Sequence, residues 1–289
     1  MVFASGGYSV KIYDNQPGQA VKAITEIRKQ LQELEEAHML RGELTAAQQL
    51  SLLSSYDDLA QALEGAFFVQ LEVKQSVFQD VERLVGKDVI LSSSTSCLVP
   101  SNVFSKVHNR SRCLVSHPVN PPYYVKLVEL VPHPETEASV MDATHAVMTK
   151  VGQVPVCLKR EIDGFALNRV QAAIIAESWR LVKDGVISVK DIDLVMSEGL
   201  GMRYAFIGPM ETMHLNAPEG LEDYMRRYGP GIARVLTSFG PVPDFCGEGA
   251  KEIVNEMCEL IPRDRQHLSA RMERRDQLLM GLSELKKDH

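Results

Sequence analysis

The chain has 289 residues, of which 45% are hydrophobic and 24% charged, and its formal net charge is -7. This length predicts one large or two ordinary domains, and two is the better fit. No apolar run approaches bilayer length and no basic block is present, so we expect neither a membrane nor nucleic acid as a partner. The five cysteines are scattered without CxxC spacing, which indicates neither a disulfide framework nor a metal site. Without a recognisable secretory or mitochondrial signal, a cytoplasmic location is the expectation.

Residues 1–160 alternate short apolar runs with helical patterns, which is typical of βαβ units and a mostly parallel sheet. "YSVKIYD" predicts the first strand and residues 19–37 a long helix, and "GELTAAQQLSLL" and "DDLAQAL" predict two short helices. Further strands are predicted at "GAFFVQ", "KDVILSSS", "RCLVSHPV", "YVKLVELV" and "VPVCLK", with helices at residues 72–85 and 136–151. The fold class expected for this part is α/β.

The second half of the sequence is predicted to be an all-α domain, residues 161–289. From Gly164 onward the strand signal disappears and five helical patterns follow one another. No Pro- or Ser-rich linker separates the two domains, so we expect them to pack tightly with a ligand cleft between them.

Two stretches place polar side chains where a sheet is expected to end. In "SSSTSCLVP", a run of hydroxyls including Ser96 follows a buried strand, at the strand end where doubly wound folds bind ligands. The alternative is a Ser/Thr helix cap before Val99. In "SHPVNPPYYVKLVELV", His117 and Glu129 lie on successive strands, so an imidazole and a carboxylate can meet and handle a proton. The alternative is a hydrogen-bonded core histidine.

Two further polar residues lie in the helical half. Asn168 in "GFALNR" falls in the first turns of a long helix, where its amide points toward the cleft or merely packs. Arg203 in "GLGMRYAF" is predicted to lie in a loop that faces the cleft, where it can hold a sugar-acid carboxylate bidentately. The alternative is a surface arginine on a loop that joins helices.

The order and spacing of these stretches resemble the 3-hydroxyacyl-CoA dehydrogenase superfamily, and phrases such as "HPVNPPYYVKLVELVPHPET" and "MSEGLGMRYAFIGPMETMHLNA" extend the resemblance over nearly the whole chain. It implies a truncated Rossmann-type, doubly wound sheet as the NAD-binding domain, followed by an all-α domain that binds substrate and forms a homodimer. The implied reaction is NAD-dependent oxidation of the 3-hydroxyl of L-gulonate or a similar small hydroxy acid. A fatty-acyl 3-hydroxyacyl-CoA dehydrogenase ordinarily needs an organelle address.

The same resemblance implies roles for individual residues. His117 is the general base for the hydroxyl proton, and Glu129 orients it and stabilises the imidazolium. Polar residues around the reacting oxygen favour the charge that develops there. The remaining implied positions are Ser96 and Asn168 at that oxygen, Asn120 near the nicotinamide, Asp14 on the adenosine ribose, and Lys74 along the cofactor cleft.

The sequence departs from the family at two places. In relatives, a buried strand and a GxGxxG turn precede the segment that matches "FASGGYSVKIYD", and about six more residues follow "FFVQ"; neither feature is found here. The glycine turn holds the pyrophosphate of NAD. We therefore expect a weakened nucleotide domain with poor or absent NAD binding. The alternative function is a catalytically silent, crystallin-like structural protein.

Overall fold

A computed structural model of the chain describes residues 1–71, 75–96 and 98–286. The chain divides into two compact units, Met1–Arg169 and Val170–His289. All of the described strands lie in the first unit, and the second unit is helical where it is described. An α/β part with a mostly parallel sheet followed by an all-α part confirms the expected fold class.

The described strands form two separate sheets. One sheet contains two parallel strands, and the other contains five in the order β3-β4-β5-β6-β7. Within the larger sheet every pairing is parallel except that of β5 with β6, which is antiparallel. The strands are β1 (Val10–Tyr13), β2 (Leu53–Tyr56), β3 (Phe68–Leu71), β4 (Ile90–Ser93), β5 (Cys113–Pro118), β6 (Leu127–Pro132) and β7 (Val154–Cys157).

Strand β2 corrects the expectation that "GELTAAQQLSLL" is a single helix. The helix is shorter, covering Ala46–Ser51, and Thr45 starts it with a capping box. Leu53–Tyr56 instead pairs in parallel with β1 and buries Leu53. Serine competes poorly in helix interiors, and pairing with β1 satisfies the backbone of this segment.

Seven helices and one 3-10 turn at Arg110–Arg112 accompany the described strands of the first unit. They cover both faces of the larger sheet, so β5 is buried on its two sides. Val115 belongs to a core cluster with Phe78 and Phe104. Leu114, one residue away and on the opposite face, belongs to a cluster with Met148. The helices are α1 (Val2–Ser5), α2 (Gln19–Glu36), α3 (Ala46–Ser51), α4 (Leu59–Leu63), α5 (Gln75–Leu84), α6 (Pro100–Val103) and α7 (Ala138–Lys150).

The helical part begins with α8, which starts in the first unit and continues into the second. A later helical run is continuous through a π-helical turn at Val195–Leu200, in which the N–H of Gly201 bonds the carbonyl of Met196. Within the described residues no helix is both long and apolar enough to cross a lipid bilayer. The helices are α8 (Leu167–Lys183), α9 (Val189–Leu194), α10 (Gly201–Tyr204), α11 (Pro209–Leu215), α12 (Leu221–Thr237), α13 (Glu248–Leu260) and α14 (Arg265–Leu285).

Candidate active site

His117 and Glu129 form a buried pair between neighbouring strands. The antiparallel register of β5 and β6 sets the two residues directly opposite each other, which places both side chains on one face of the sheet. Nδ1 of His117 lies 2.9 Å from Oε2 of Glu129. The residues are only 4% and 1% exposed. The geometry thus brings together an imidazole and a carboxylate that the sequence placed on successive strands.

The second oxygen of Glu129 is fixed by the start of helix α8. Oε1 accepts the backbone N–H groups of Ala166, at 2.8 Å, and of Leu167, at 2.9 Å. Burial by itself raises the pKa of Glu129, but the hydrogen bonds from His117 and from these two N–H groups outweigh it, so the pKa of this carboxyl lies below its ordinary value. A helix N-terminus also favours a negative charge. Glu129 is therefore held as a carboxylate.

An ionised Glu129 determines which nitrogen of the neutral His117 ring carries the proton. A carboxylate only accepts hydrogen bonds, so Nδ1 must donate to it. Nε2 is then the nitrogen with a lone pair. This arrangement suits a general base, because Nε2 can take a proton while the carboxylate stabilises the imidazolium that results.

The ring of Phe165, which sequence reasoning missed, packs against His117 with centroids 5.4 Å apart. Phe165 is fully buried and has a φ of 50°, in the left-handed region that non-glycine residues rarely adopt. It follows Gly164, whose φ is 73°. Two successive residues of positive φ turn the chain into α8 and aim the next two N–H groups at Glu129. The "GF" pair in "GFALNR" was the available signal for this turn.

Asn168 and Ser96 lie together. Asn168 is the second residue of α8, and its Nδ2 donates to the carbonyl oxygen of Ser96 at 2.8 Å. The start of α8 therefore holds both Glu129 and the segment that follows β4. Of the predicted site residues, His117, Glu129, Asn168 and Ser96 are linked by these two sets of contacts at the start of one helix.

The serine run, which begins within β4 and continues beyond it, does not supply the N-cap of helix α6. Helix α6 has Val99 as its N-cap, without a side-chain hydrogen bond, so the alternative of a Ser/Thr cap is wrong. Glu161 instead accepts the N–H of Ser101, at 2.8 Å, and also its hydroxyl. Of the hydroxyls in the run, Ser92 donates to the hydroxyl of Ser116 within the core. Ser116 is the partner of Ser92 and Glu161 is the partner of the helix start, and local spacing does not reveal either of these long-range contacts.

Two of the other predicted site residues, Asp14 and Asn120, lie in the described part of the first unit. Asp14 directly follows β1, is exposed, and its Oδ1 accepts the N–H of Gln16 at 2.7 Å. Asn120 is exposed, two residues beyond β5. Among the described residues, no hydrogen bond or ion pair joins either of them to His117 or Glu129. Lys74 lies outside the described residues.

The structure corrects the prediction that Arg203 lies in a loop. It was expected in a loop, but it lies within α10, at the end of the helical run that passes through the π-helical turn. The carbonyl of Arg203 accepts the N–H groups of Phe206 and Ile207, as in a continuing helix. Its side chain is exposed. Gly199 lies in the π-helical turn and Gly201 begins α10, so the helix continues through both glycines.

Comparisons with known proteins agree with this architecture. The family model of the 3-hydroxyacyl-CoA dehydrogenase NAD-binding domain matches residues 1–162, and that of the C-terminal domain matches residues 164–241. The lambda-crystallin homolog of Rattus norvegicus is 54% identical over 292 residues, covering 99% of this chain and 91% of the relative. The L-carnitine dehydrogenase of Oceanobacillus iheyensis is 26% identical, covering 99% of this chain and 93% of the relative.

A solved structure shows the same fold. The NAD+-dependent dismutase described as a 5-formyl-3-hydroxy-2-methylpyridine 4-carboxylic acid 5-dehydrogenase superimposes with a TM-score of 0.75 at 22% identity, covering 98% of this chain and 92% of that one. Fold and sequence together define a two-part dehydrogenase architecture with an NAD-binding domain. The chain belongs to the 3-hydroxyacyl-CoA dehydrogenase family.

NAD is the cofactor that this family relationship assigns, and the described residues fit it only in part. The exposed carboxylate of Asp14 at the end of β1 suits an adenosine ribose hydroxyl. A pyrophosphate is held by a GxGxxG turn between a strand and a helix N-terminus, and the sequence contains no such pattern. The residues present therefore fit the ribose end of NAD but do not supply the usual pyrophosphate cradle.

Proposed function

We propose that this chain oxidises the 3-hydroxyl of L-gulonate or a similar small hydroxy acid, with His117 as the general base and Glu129 as its positioning residue. The observation that supports this most strongly is the buried 2.9 Å contact between Nδ1 and Oε2, together with the two N–H groups that hold the other carboxylate oxygen. A histidine that only needed satisfying in a core would not require an acceptor fixed at both oxygens.

The proposed chemistry of the chain is proton transfer. Nε2 of His117 takes the hydroxyl proton, and the charge of the resulting imidazolium is balanced by Glu129 through a charge-assisted hydrogen bond. In this family NAD, when bound, accepts the hydride. Asn168 still has a second amide hydrogen after donating to Ser96, because an amide nitrogen carries two. We assign Asn168 and Ser96 to the polar surroundings of the reacting oxygen.

The cofactor and substrate positions belong to the same proposal. Asp14 is proposed to bind the adenosine ribose, Asn120 to lie near the nicotinamide, and Lys74 to line the cofactor cleft. Arg203 is proposed to bind the substrate carboxylate, because an exposed guanidinium suits bidentate recognition of an acid. The L-carnitine dehydrogenase among the relatives supports a small substrate, since carnitine is itself a 3-hydroxy acid.

We further propose a separate role for each part of the chain and a homodimeric assembly. Residues 1–160 bind nucleotide, and residues 161–289 bind substrate and form a homodimer. Many apolar side chains of the second unit are exposed, with Val242 at 84%, Leu278 at 65% and Leu236 at 56%, and such exposure is typical of interaction surfaces. A cytoplasmic location is consistent with the free cysteines Cys113 and Cys157.

The function is tested by following NADH absorbance with L-gulonate and, separately, with 3-hydroxybutyryl-CoA. We expect turnover of the sugar acid and little or none of the thioester. Replacing the base, His117→Gln, should lower kcat by roughly a hundredfold to ten-thousandfold. Dimerisation measured by sedimentation should be unchanged by this substitution. Full activity in His117→Gln would remove the proposed base.

A second candidate function is a catalytically silent structural protein with impaired NAD binding. It is favoured by one observation, which is that the sequence carries no GxGxxG turn to hold a pyrophosphate. Calorimetric titration of NAD separates the candidates. Saturable binding at micromolar concentration supports the dehydrogenase. If NAD does not bind and neither substrate is turned over, the results support the structural protein.

A further inference from the structure

The segment that leads into α8 is held near both of its ends by the part of the chain around α6. Toward its beginning, Glu161 accepts the N–H of Ser101 at 2.8 Å and also the hydroxyl of the same residue. At its other end, Nδ2 of Asn168 donates to the carbonyl of Ser96 at 2.8 Å. The two N–H groups that bind Glu129 come from the stretch between these contacts.

The backbone between Glu161 and those two N–H groups is strained. The carbonyl of Ile162 accepts the N–H of Phe165 at 3.0 Å, which closes a four-residue turn. Gly164 adopts a φ of 73° at little cost, but the φ of 50° at Phe165 is unfavourable for a residue with a side chain. Such a conformation persists only where the surroundings hold it. If the turn were released, Phe165 would relax to a negative φ and the N–H groups that follow it would turn away.

The turn is held on its two sides by different kinds of contact. The ring of Phe165 lies in the same core cluster as Val115 and Val131, which fixes the end of the turn. Glu161 directly precedes the turn, and its carboxylate receives two hydrogen bonds from Ser101, which are strong because the acceptor is charged. The turn cannot relax without breaking one of these two attachments.

From this geometry we propose that Glu161 is a positioning residue, which acts through Ser101 to keep the two N–H groups at the start of α8 on Oε1 of Glu129. With Oε1 occupied in this way, the other oxygen stays directed at Nδ1 of His117. The inference rests on the proposed role of His117 as the base. Its test requires neither NAD nor substrate, so the positioning role and the proposed function can fail separately.

The titration of Glu129 tests the proposal. Carbon-13 NMR of glutamate-labelled protein follows the carboxyl group, and Glu129→Gln identifies its resonance. Glu161→Ala should raise the pKa of Glu129, because the N–H groups that stabilise its charged form are loosened. Removal of a nearby negative charge has the opposite effect, since weaker repulsion lowers the pKa of a carboxyl group. The direction of the change therefore separates positioning from simple electrostatics.

Hydrogen exchange of the two N–H groups provides a second measurement. In Glu161→Ala the amides of Ala166 and Leu167 should exchange on the order of tenfold faster, as expected when one hydrogen bond is weakened. The comparison is made with the amides of Val115 and Ser116 in β5, which report the opening of the sheet as a whole. A merely destabilising substitution would accelerate both sets alike.

Two control variants separate the contact from the charge. Glu161→Gln can keep both bonds, because its amide oxygen accepts the N–H of Ser101 and its amide nitrogen can donate to the hydroxyl. Asp163→Ala removes a carboxylate from the same turn, where the backbone carbonyl of Asp163, rather than its carboxylate, accepts Arg169. We expect neither variant to raise the pKa of Glu129. If Glu161→Ala does not fold, Ser101→Ala removes one donor from the other side of the contact and should raise this pKa by a smaller amount.

Three results would overturn the proposal. The first is a pKa of Glu129 that is unchanged or lowered in Glu161→Ala, or in Ser101→Ala where that variant has to decide. The second is an equal rise in Asp163→Ala or Glu161→Gln. The third is exchange of Ala166 and Leu167 that keeps its ratio to exchange in β5.

Discussion

The β5–β6 region and the β1–β3 region of the first unit differ in how completely their polar groups are satisfied. At β5–β6, both oxygens of Glu129 have partners: Oε2 contacts Nδ1 of His117, and Oε1 accepts the N–H groups of Ala166 and Leu167. At β1–β3, each strand has one paired edge among the described residues, β1 with β2 and β3 with β4, and the buried Oε1 of Gln70 has no hydrogen-bond partner there. The comparison teaches that the contacts of the His117–Glu129 pair are complete within the described residues, whereas β1 and β3 are each paired on one edge only among them.

The largest expected difference is in hydrogen exchange of the unaltered protein. Amides in buried, fully paired strands open only with much of the domain, whereas edge amides exchange almost freely. We expect the amides of Lys11 and Phe68 to exchange several orders of magnitude faster than those of Val115 and Ser116. NMR-detected exchange measures both sets in one sample. Equal exchange rates for the two sets of amides would contradict the comparison.

Loss of the carboxylate is expected to be the next largest effect. Glu129→Ala leaves two backbone N–H groups and a buried imidazole without their acceptor, so the free energy of unfolding should fall by about 3 to 5 kcal/mol. Glu129→Gln is the matched control, because its carbonyl oxygen can still accept both N–H groups, and it should lose markedly less. Chemical denaturation measures both variants. Equal stabilities would contradict the locked arrangement.

A smaller change in the stability of the protein is expected at acid pH. The pKa of Glu129 lies below the ordinary value of 4.5 in the folded protein, so its contribution to stability is present above pH 4.5 and is lost as the pH falls through the lower folded pKa. Below pH 4.5 the unaltered protein should lose stability more steeply than Glu129→Gln, which has no such proton to bind. Thermal unfolding at a series of pH values measures the two slopes, and parallel curves would refute the assignment.

The sequence was sufficient to predict the parts of this molecule that depend on local pattern. The alternation of strands and helices, the helical second half and the placement of His117 and Glu129 on successive strands all follow from residue spacing. The strand Leu53–Tyr56 was missed because its pairing with β1 outweighs the helical signal before it. The positive φ of Phe165 and the contacts of Ala166 and Leu167 with Glu129 were missed because they depend on partners more than thirty residues away.

Some site residues could also be placed from the sequence, and others could not. His117 and Glu129 lie on strands that follow one another in the chain and pair in the sheet, so their closeness was predictable. Arg203 was expected in a loop, but a π-helical turn continues the helix into α10, and such a turn was not foreseeable from composition. The pairing of Asn168 with the carbonyl of Ser96 joins residues 72 positions apart, and no local pattern predicts such a contact.

The central claim is that Glu129 fixes the proton of the neutral His117 ring on Nδ1 and leaves Nε2 as the base. Nitrogen-15 NMR of histidine-labelled protein tests it directly, with His117→Gln identifying the resonance and requiring neither cofactor nor turnover. In Glu129→Gln, the two N–H groups of Ala166 and Leu167 should hold the amide oxygen, so the amide nitrogen donates to Nδ1 and the proton moves to Nε2. The account predicts the Nδ1–H tautomer in the unaltered protein and the Nε2–H tautomer in Glu129→Gln. An Nε2–H tautomer in the unaltered protein would contradict it.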